Sequence, residues 1–176
     1  MQYRPIDFTI GVIAHVPFLS QKVNRPSAVV VDPTGSKIFV ANAAQPTIAL
    51  VARSNFELQA ERLQVPAGVV DMVGLEGASK ALTISDSPPS LAMIDFDNPN
   101  GEAISLSLSS RPARLAIGGE QKSAVVTMTW DRSIVLVQLS DSGLLVNSKL
   151  TRIELEFPPK EIIAIEPTMK AFLLSL

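Results

Sequence analysis

The chain contains no cysteine, so disulfide bonds and thiol chemistry are excluded and no redox compartment is implied. It contains one histidine, His15. A multi-histidine metal site is therefore impossible, a Ser-His-Asp arrangement would have to be built around that one residue, and only oxygen-ligand metals such as calcium stay open. Between Ala14 and Val16, His15 reads as a structural or surface residue. Neither sign of charge dominates: 15 basic residues face 17 acidic ones, and no Lys/Arg cluster is dense enough to track a phosphate backbone, which excludes a nucleic-acid footprint. Long apolar runs are missing as well. Hydrophobic residues make up 47% of the sequence, yet Pro, Gly, Asn, Asp or Ser interrupt them at short intervals, and none approaches the roughly 18 residues of a membrane-spanning helix. The opening Met1-Gln-Tyr-Arg-Pro-Ile-Asp-Phe8 lacks the basic lead and apolar core of a secretory signal. A cytoplasmic product is expected if Met1 is the native start.

What is present is a period. A strand-forming pattern starts at Pro26, Val69, Pro112 and Pro159, with starts 43, 43 and 47 residues apart. Three residues into each copy stand Val29, Met72, Leu115 and Ile162, in runs that alternate as a half-buried strand does. Eleven residues in, Lys37, Lys80, Ser123 and Lys170 each open a second apolar run. A third strand is marked by Ile48/Leu50, Leu91/Met93 and Ile134/Leu136, and turn residues Asn55, Asn98 and Asp141 follow it. A fourth run covers Leu58 to Val65, Ala103 to Leu108, and Leu144 to Leu155. Four strands per copy, at a period in the roughly 40–50 residue range, is the pattern of a β-propeller blade.

The segment Pro26-Ser-Ala-Val-Val-Val-Asp-Pro-Thr-Gly-Ser-Lys-Ile-Phe-Val-Ala-Asn42 resembles the first half of a repeat of the YVTN-type β-propeller family. There a Pro-led strand, an Asp-Pro-x-Gly-x-Lys-like turn and a Tyr-Val-x-Asn-like strand follow one another. The second copy keeps Gly77-Ala-Ser-Lys80 but lacks the Pro and the Asn, and the third keeps Pro112 and Lys122 but ends in Thr129-Trp130-Asp131. The resemblance implies a propeller and a family whose members are often exported. The lone Trp130-Asp131 is no WD-repeat signature, since no second copy accompanies it.

The expected fold class is all-β: a propeller of four blades of four antiparallel strands in one domain, 1–176. Three blades span about 26–68, 69–111 and 112–158. The fourth is a composite of 159–176 and an N-terminal pair of strands at Ile6–Ile13 and Phe18–Val23, within 1–25, although Pro5-x-x-Phe8-x-Ile10-Gly11 also fits the first-strand pattern of Pro112-x-x-Leu115-x-Ile117-Gly118. Such closure hides strand edges. Two further arrangements stay open, two copies joined into one larger ring and a portion of a propeller completed by another subunit.

Propellers bind partners where the loops between second and third strands meet the blade-to-blade linkers. Those loops contribute Asn42 and Gln45, Asp86 and Ser87, and Trp130, Asp131 and Arg132, while Arg25 and Arg111 stand in the linkers. Trp130 beside Arg132 is the strongest hot-spot candidate, because Trp and Arg carry much interface energy; alternatively Trp130 packs over a neighbouring blade. The repeated lysines fall in the opposite turns, where Asp32, Glu76, Glu120 and Glu166 offset them. The oxygen-rich run Asp95 to Glu102 reads as an ordinary turn, since it lacks an EF-hand register. The expected function is a non-enzymatic interaction or assembly module with a protein partner or self-association, no cofactor, no nucleic acid and no membrane insertion. Two alternatives come from other classes: a hydrolase or lactonase-like propeller using Asp86 and Asp131 to hold a divalent ion, and a small-ligand or glycan binder stacking on Trp130.

Overall fold

Lys37, Lys80, Ser123 and Lys170 each open a strand in the computed structural model, at the head of an apolar run. The structure describes residues 25–32, 34–52, 58–65, 67–75, 79–98, 103–118, 123–128, 130–139, 145, 149–165 and 170–174. The expected N-terminal strands and His15 lie outside them. The described elements are all β and form four antiparallel sheets.

The first sheet is a meander of β1 (Pro26–Val31), β2 (Lys37–Asn42), β3 (Thr47–Ala52) and β4 (Leu58–Gln64). The second runs β5 (Val69–Gly74), β6 (Lys80–Asp86), β7 (Pro89–Asp95) and β8 (Ile104–Ser107). The third runs β9 (Arg114–Gly118), β10 (Ser123–Met128), β11 (Ser133–Gln138) and β12 (Lys149–Glu154). β13 (Glu161–Ile165) and β14 (Lys170–Leu174) form a two-stranded fourth sheet.

The three full sheets close their turns alike. Asp32 N donates to Lys37 O at 3.0 Å and Leu75 N to Lys80 O at 2.9 Å, sealing the first hairpin of sheets one and two. Val65 N bonds Pro46 O, Leu108 N bonds Pro89 O and Leu155 N bonds Arg132 O, sealing the far end of the third and fourth strands in all three. In the first hairpin Asp32 is the organiser. Its carboxylate accepts from Lys37 N at 2.8 Å, from Thr34 Oγ1 and from Ser36 Oγ. Partial burial opposes its ionisation, but these hydrogen bonds outweigh it and hold the carboxyl below its ordinary value of 3.8.

Each first strand lies innermost, and neighbouring inner strands pack in the order β1, β5, β9, β13. Between sheets one and two, Phe39, Ala41, Ile48 and Leu50 meet Met72, Ala81, Ile94 and Phe96. The rings of Phe39 and Phe96 stack with centroids 3.5 Å apart. Between sheets two and three, Leu82, Ile84, Leu91 and Met93 meet Leu115, Ala124, Val126, Val135 and Val137. Burying each large apolar side chain contributes about 1.5–3 kcal/mol, so these two interfaces are the principal source of stability. β12 is exposed along its whole length and forms the outer edge of sheet three. β13 packs on β9 and does not return to pack on β1, so the described sheets form an open arc.

Candidate functional site

The residues singled out in sequence stand at the ends of β2, β6 and β10 and in the linkers that precede β1 and β9. In sheet one the linker and the loop are joined directly: Ala43 N donates to Arg25 O at 3.0 Å. Arg25 adopts a left-handed φ of 66° there, and its side chain is exposed. Asn42 is buried and works for the loop. Its Oδ1 accepts from Ala44 N at 3.0 Å, the local turn-forming bond for which Asn is favoured. Gln45 stands exposed beyond it. The linker to sheet two passes so close that a Cβ on Gly68 would lie 2.3 Å from Ala43 O, which restricts that position to glycine. Ser85 Oγ donates to Ala67 O of the same linker at 3.4 Å.

In sheet two, Asp86 ends β6 half-buried and Ser87 is exposed in the short turn that follows. In sheet three, Trp130, Asp131 and Arg132 lie between β10 and β11. Trp130 is 81% exposed, so it does not pack over a neighbouring blade. Asp131 is held from two sides, accepting from Ser133 Oγ at 3.0 Å and pairing with Arg152 Nη2 of β12 at 3.2 Å. Arg132 has a left-handed φ of 49°, gives its carbonyl to Leu155 N and leaves its guanidinium exposed. Arg111 is exposed in the linker that enters β9. Among the described residues, Arg25, Arg111 and Arg132 form no ion pair. Among the described residues, no hydrogen bond joins the three loops to one another, and no group of three or more acidic or histidine side chains gathers to hold a metal. Asp131 spends its two carboxylate oxygens on Ser133 and Arg152 and shares no partner with Asp86.

Sequence reasoning missed a set of ties near the heads of the inner strands. Ser27 Oγ donates to Val69 O, fastening β1 to β5. Asp71 Oδ2 accepts from Leu115 N at 3.0 Å, fastening β5 to β9, while its Oδ1 accepts from Met72 N at 2.9 Å. A bulge in the β5 pairing between Val69 and Asp71 accompanies this reach. Arg114 Nε meets Glu161 at 3.2 Å, fastening β9 to β13. The signal was in view: Asp71, Arg114 and Glu161 stand two residues after their repeat starts, polar intrusions in otherwise apolar strands.

No helix among the described residues is long and apolar enough to cross a membrane. No family model matches the sequence, and neither does any curated protein. Solved structures do resemble it. Hydrazine synthase of Kuenenia stuttgartiensis superposes with a TM-score of 0.62 at 16% identity, over 80% of this chain and 40% of that one. A 6-phosphogluconolactonase-like protein of Bacteroides uniformis gives 0.71 at 12% identity, over 85% and 47%. A functionally unknown protein of Desulfotomaculum acetoxidans gives 0.65 at 13% identity, over 86% and 49%. The likeness is one of fold alone, a β-propeller-like arrangement, and the chain spans less than half the length of each of these structures.

Proposed function

We propose that this chain is a non-enzymatic β-propeller module for interaction and assembly, which presents the Trp130 loop face to a protein partner. One observation carries the reading: a tryptophan 81% exposed in the turn after β10, beside Arg132, whose guanidinium forms no ion pair among the described residues. An indole left in water is available to contribute a large buried area on binding, and Trp with Arg is the composition of interface hot spots. Arg111, Arg25, Gln45, Ser87 and Asp86 supply the surrounding polar rim. Asn42 and Asp131 shape the loops from beneath. A hydrolytic reading needs two carboxylates free for an ion, and Asp131 is already engaged by a cation and a hydroxyl.

The finer architecture we favour is four blades of the YVTN-like kind per chain, with β13–β14 as the start of the fourth and an N-terminal segment, of the same or of a second copy, as its completion. Three full meanders and a fourth begun on the same plan support it. A photo-crosslinking residue placed at Trp130, and as a control at Lys37 on the opposite turns, tests the interaction face. We expect an adduct with one protein from position 130 only, lost on Arg132→Ala. Equal labelling from both positions, or labelling indifferent to Arg132→Ala, would sink this face.

A further inference from the structure

The rear side of sheet one offers a surface that its neighbours bury. Val29, Met72 and Leu115 hold the same place in successive copies, three residues after each start. Met72 is 4% exposed and sits in the cluster with Phe39, Ala41, Ile48 and Leu50 of the sheet before it. Leu115 is 5% exposed and sits in the cluster with Leu82, Ile84, Leu91 and Met93 of the sheet before it. Each inner strand is therefore covered by the forward face of the preceding sheet. Val29 is 60% exposed and Val31 52%, and among the described residues no sheet precedes them.

We propose that a second copy of this chain covers this surface, the β13–β14 end of one copy docking head to tail on sheet one of the other. Three observations select that occupant. The surfaces that bury Met72 and Leu115 are forward sheet faces, and on β14 Phe172 and Leu174 hold the sequence positions of Phe39 and Ala41 on β2 and of Leu82 and Ile84 on β6. Among the described residues the same copy does not supply the contact, because β13 packs on β9 and not on β1. The curvature of the arc is that of something larger: it superposes on 47% and 49% of two longer chains with TM-scores of 0.71 and 0.65. Two copies supply about that length, and the two head-to-tail contacts of such a pair close a ring instead of propagating a filament. This inference rests on the assembly half of the proposed function and is independent of the Trp130 face.

Because the chain is free of cysteine, single cysteines report contacts without background. Val29→Cys and Phe172→Cys are made separately in the full chain, mixed and oxidised mildly. A mixed disulfide dimer forming at least several-fold faster than either variant alone forms one is the expected result. Val29→Glu with Val31→Glu should reduce the native mass by half, with the circular dichroism spectrum unchanged. Three results would each overturn the proposal: no excess of the mixed dimer; a ring-closing disulfide within one chain when both cysteines are present; or an unchanged mass for the glutamate variant. Trp130→Ala should leave the mixed disulfide intact, so the docking proposal and the loop-face reading fail separately.

Discussion

Met72 and Val29 occupy the same step of the same kind of strand, yet one is 4% exposed and the other 60%. Leu115, one sheet further on, is again buried at 5%. Nothing local separates these strands: each pairs antiparallel with its hairpin partner, and each alternates its side chains across the sheet. What differs is the neighbour. A sheet in this stack buries neither face alone: its rear face depends on the sheet before it and its forward face on the sheet after it. Stability in such a stack therefore resides between sheets as much as within them.

Mutations that probe the two sides sharpen this contrast. Leu82→Ala, at the fully buried interface of sheets two and three, should cost about 2–5 kcal/mol in urea unfolding, whatever the protein concentration. Val29→Ala should cost far less in dilute protein and progressively more as concentration rises; a loss at Val29 equal to that at Leu82 under dilution would break the comparison. Gly68→Ala drives a methyl group into Ala43 O, and by the usual cost of overpacking should lower stability by about 1–3 kcal/mol. Asp71→Ala leaves the Leu115 N–H without its partner across the β5–β9 interface and should cost about 1–3 kcal/mol, measured as a shift of the urea midpoint.

The smallest expected effect is at Asp32. Its carboxyl lies below 3.8 in the folded chain, so its contribution is fully present above the unfolded value and is lost as pH falls through the folded one. Thermal melts should show Asp32→Asn less sensitive than the parent to acidification below about pH 4, the ordinary carboxylate range. Equal acid sensitivity in both would show that the hairpin carboxylate carries no linkage.

Much of the sheet plan was legible because hairpins are local. Lys37, Lys80 and Ser123 open second strands where expected, since an alternating apolar run after a turn has few other solutions. The first strands of the third and fourth sheets begin at Arg114 and Glu161, two residues past Pro112 and Pro159, whereas β1 begins on its proline, Pro26. The fourth strand of sheet three was the least legible. An apolar stretch at Leu144 to Val146 drew the expected start upstream, whereas β12 begins at Lys149 and faces solvent throughout, with no buried side to set a pattern. The roles of the loop residues were not readable from the sequence. Asn42 and Trp130 both looked available, and only the packing shows one buried beneath its turn and the other 81% exposed. Asp71 escaped notice because its partner is 44 residues away in sequence.

The most direct measurement is the native mass of the unmodified chain by light scattering over a range of concentrations. A mass of twice the 18.9 kDa chain, falling toward 18.9 kDa on dilution, is the expected result. A mass of 18.9 kDa at every concentration would contradict the account, because the exposed valines of β1 would then have no second copy to cover them.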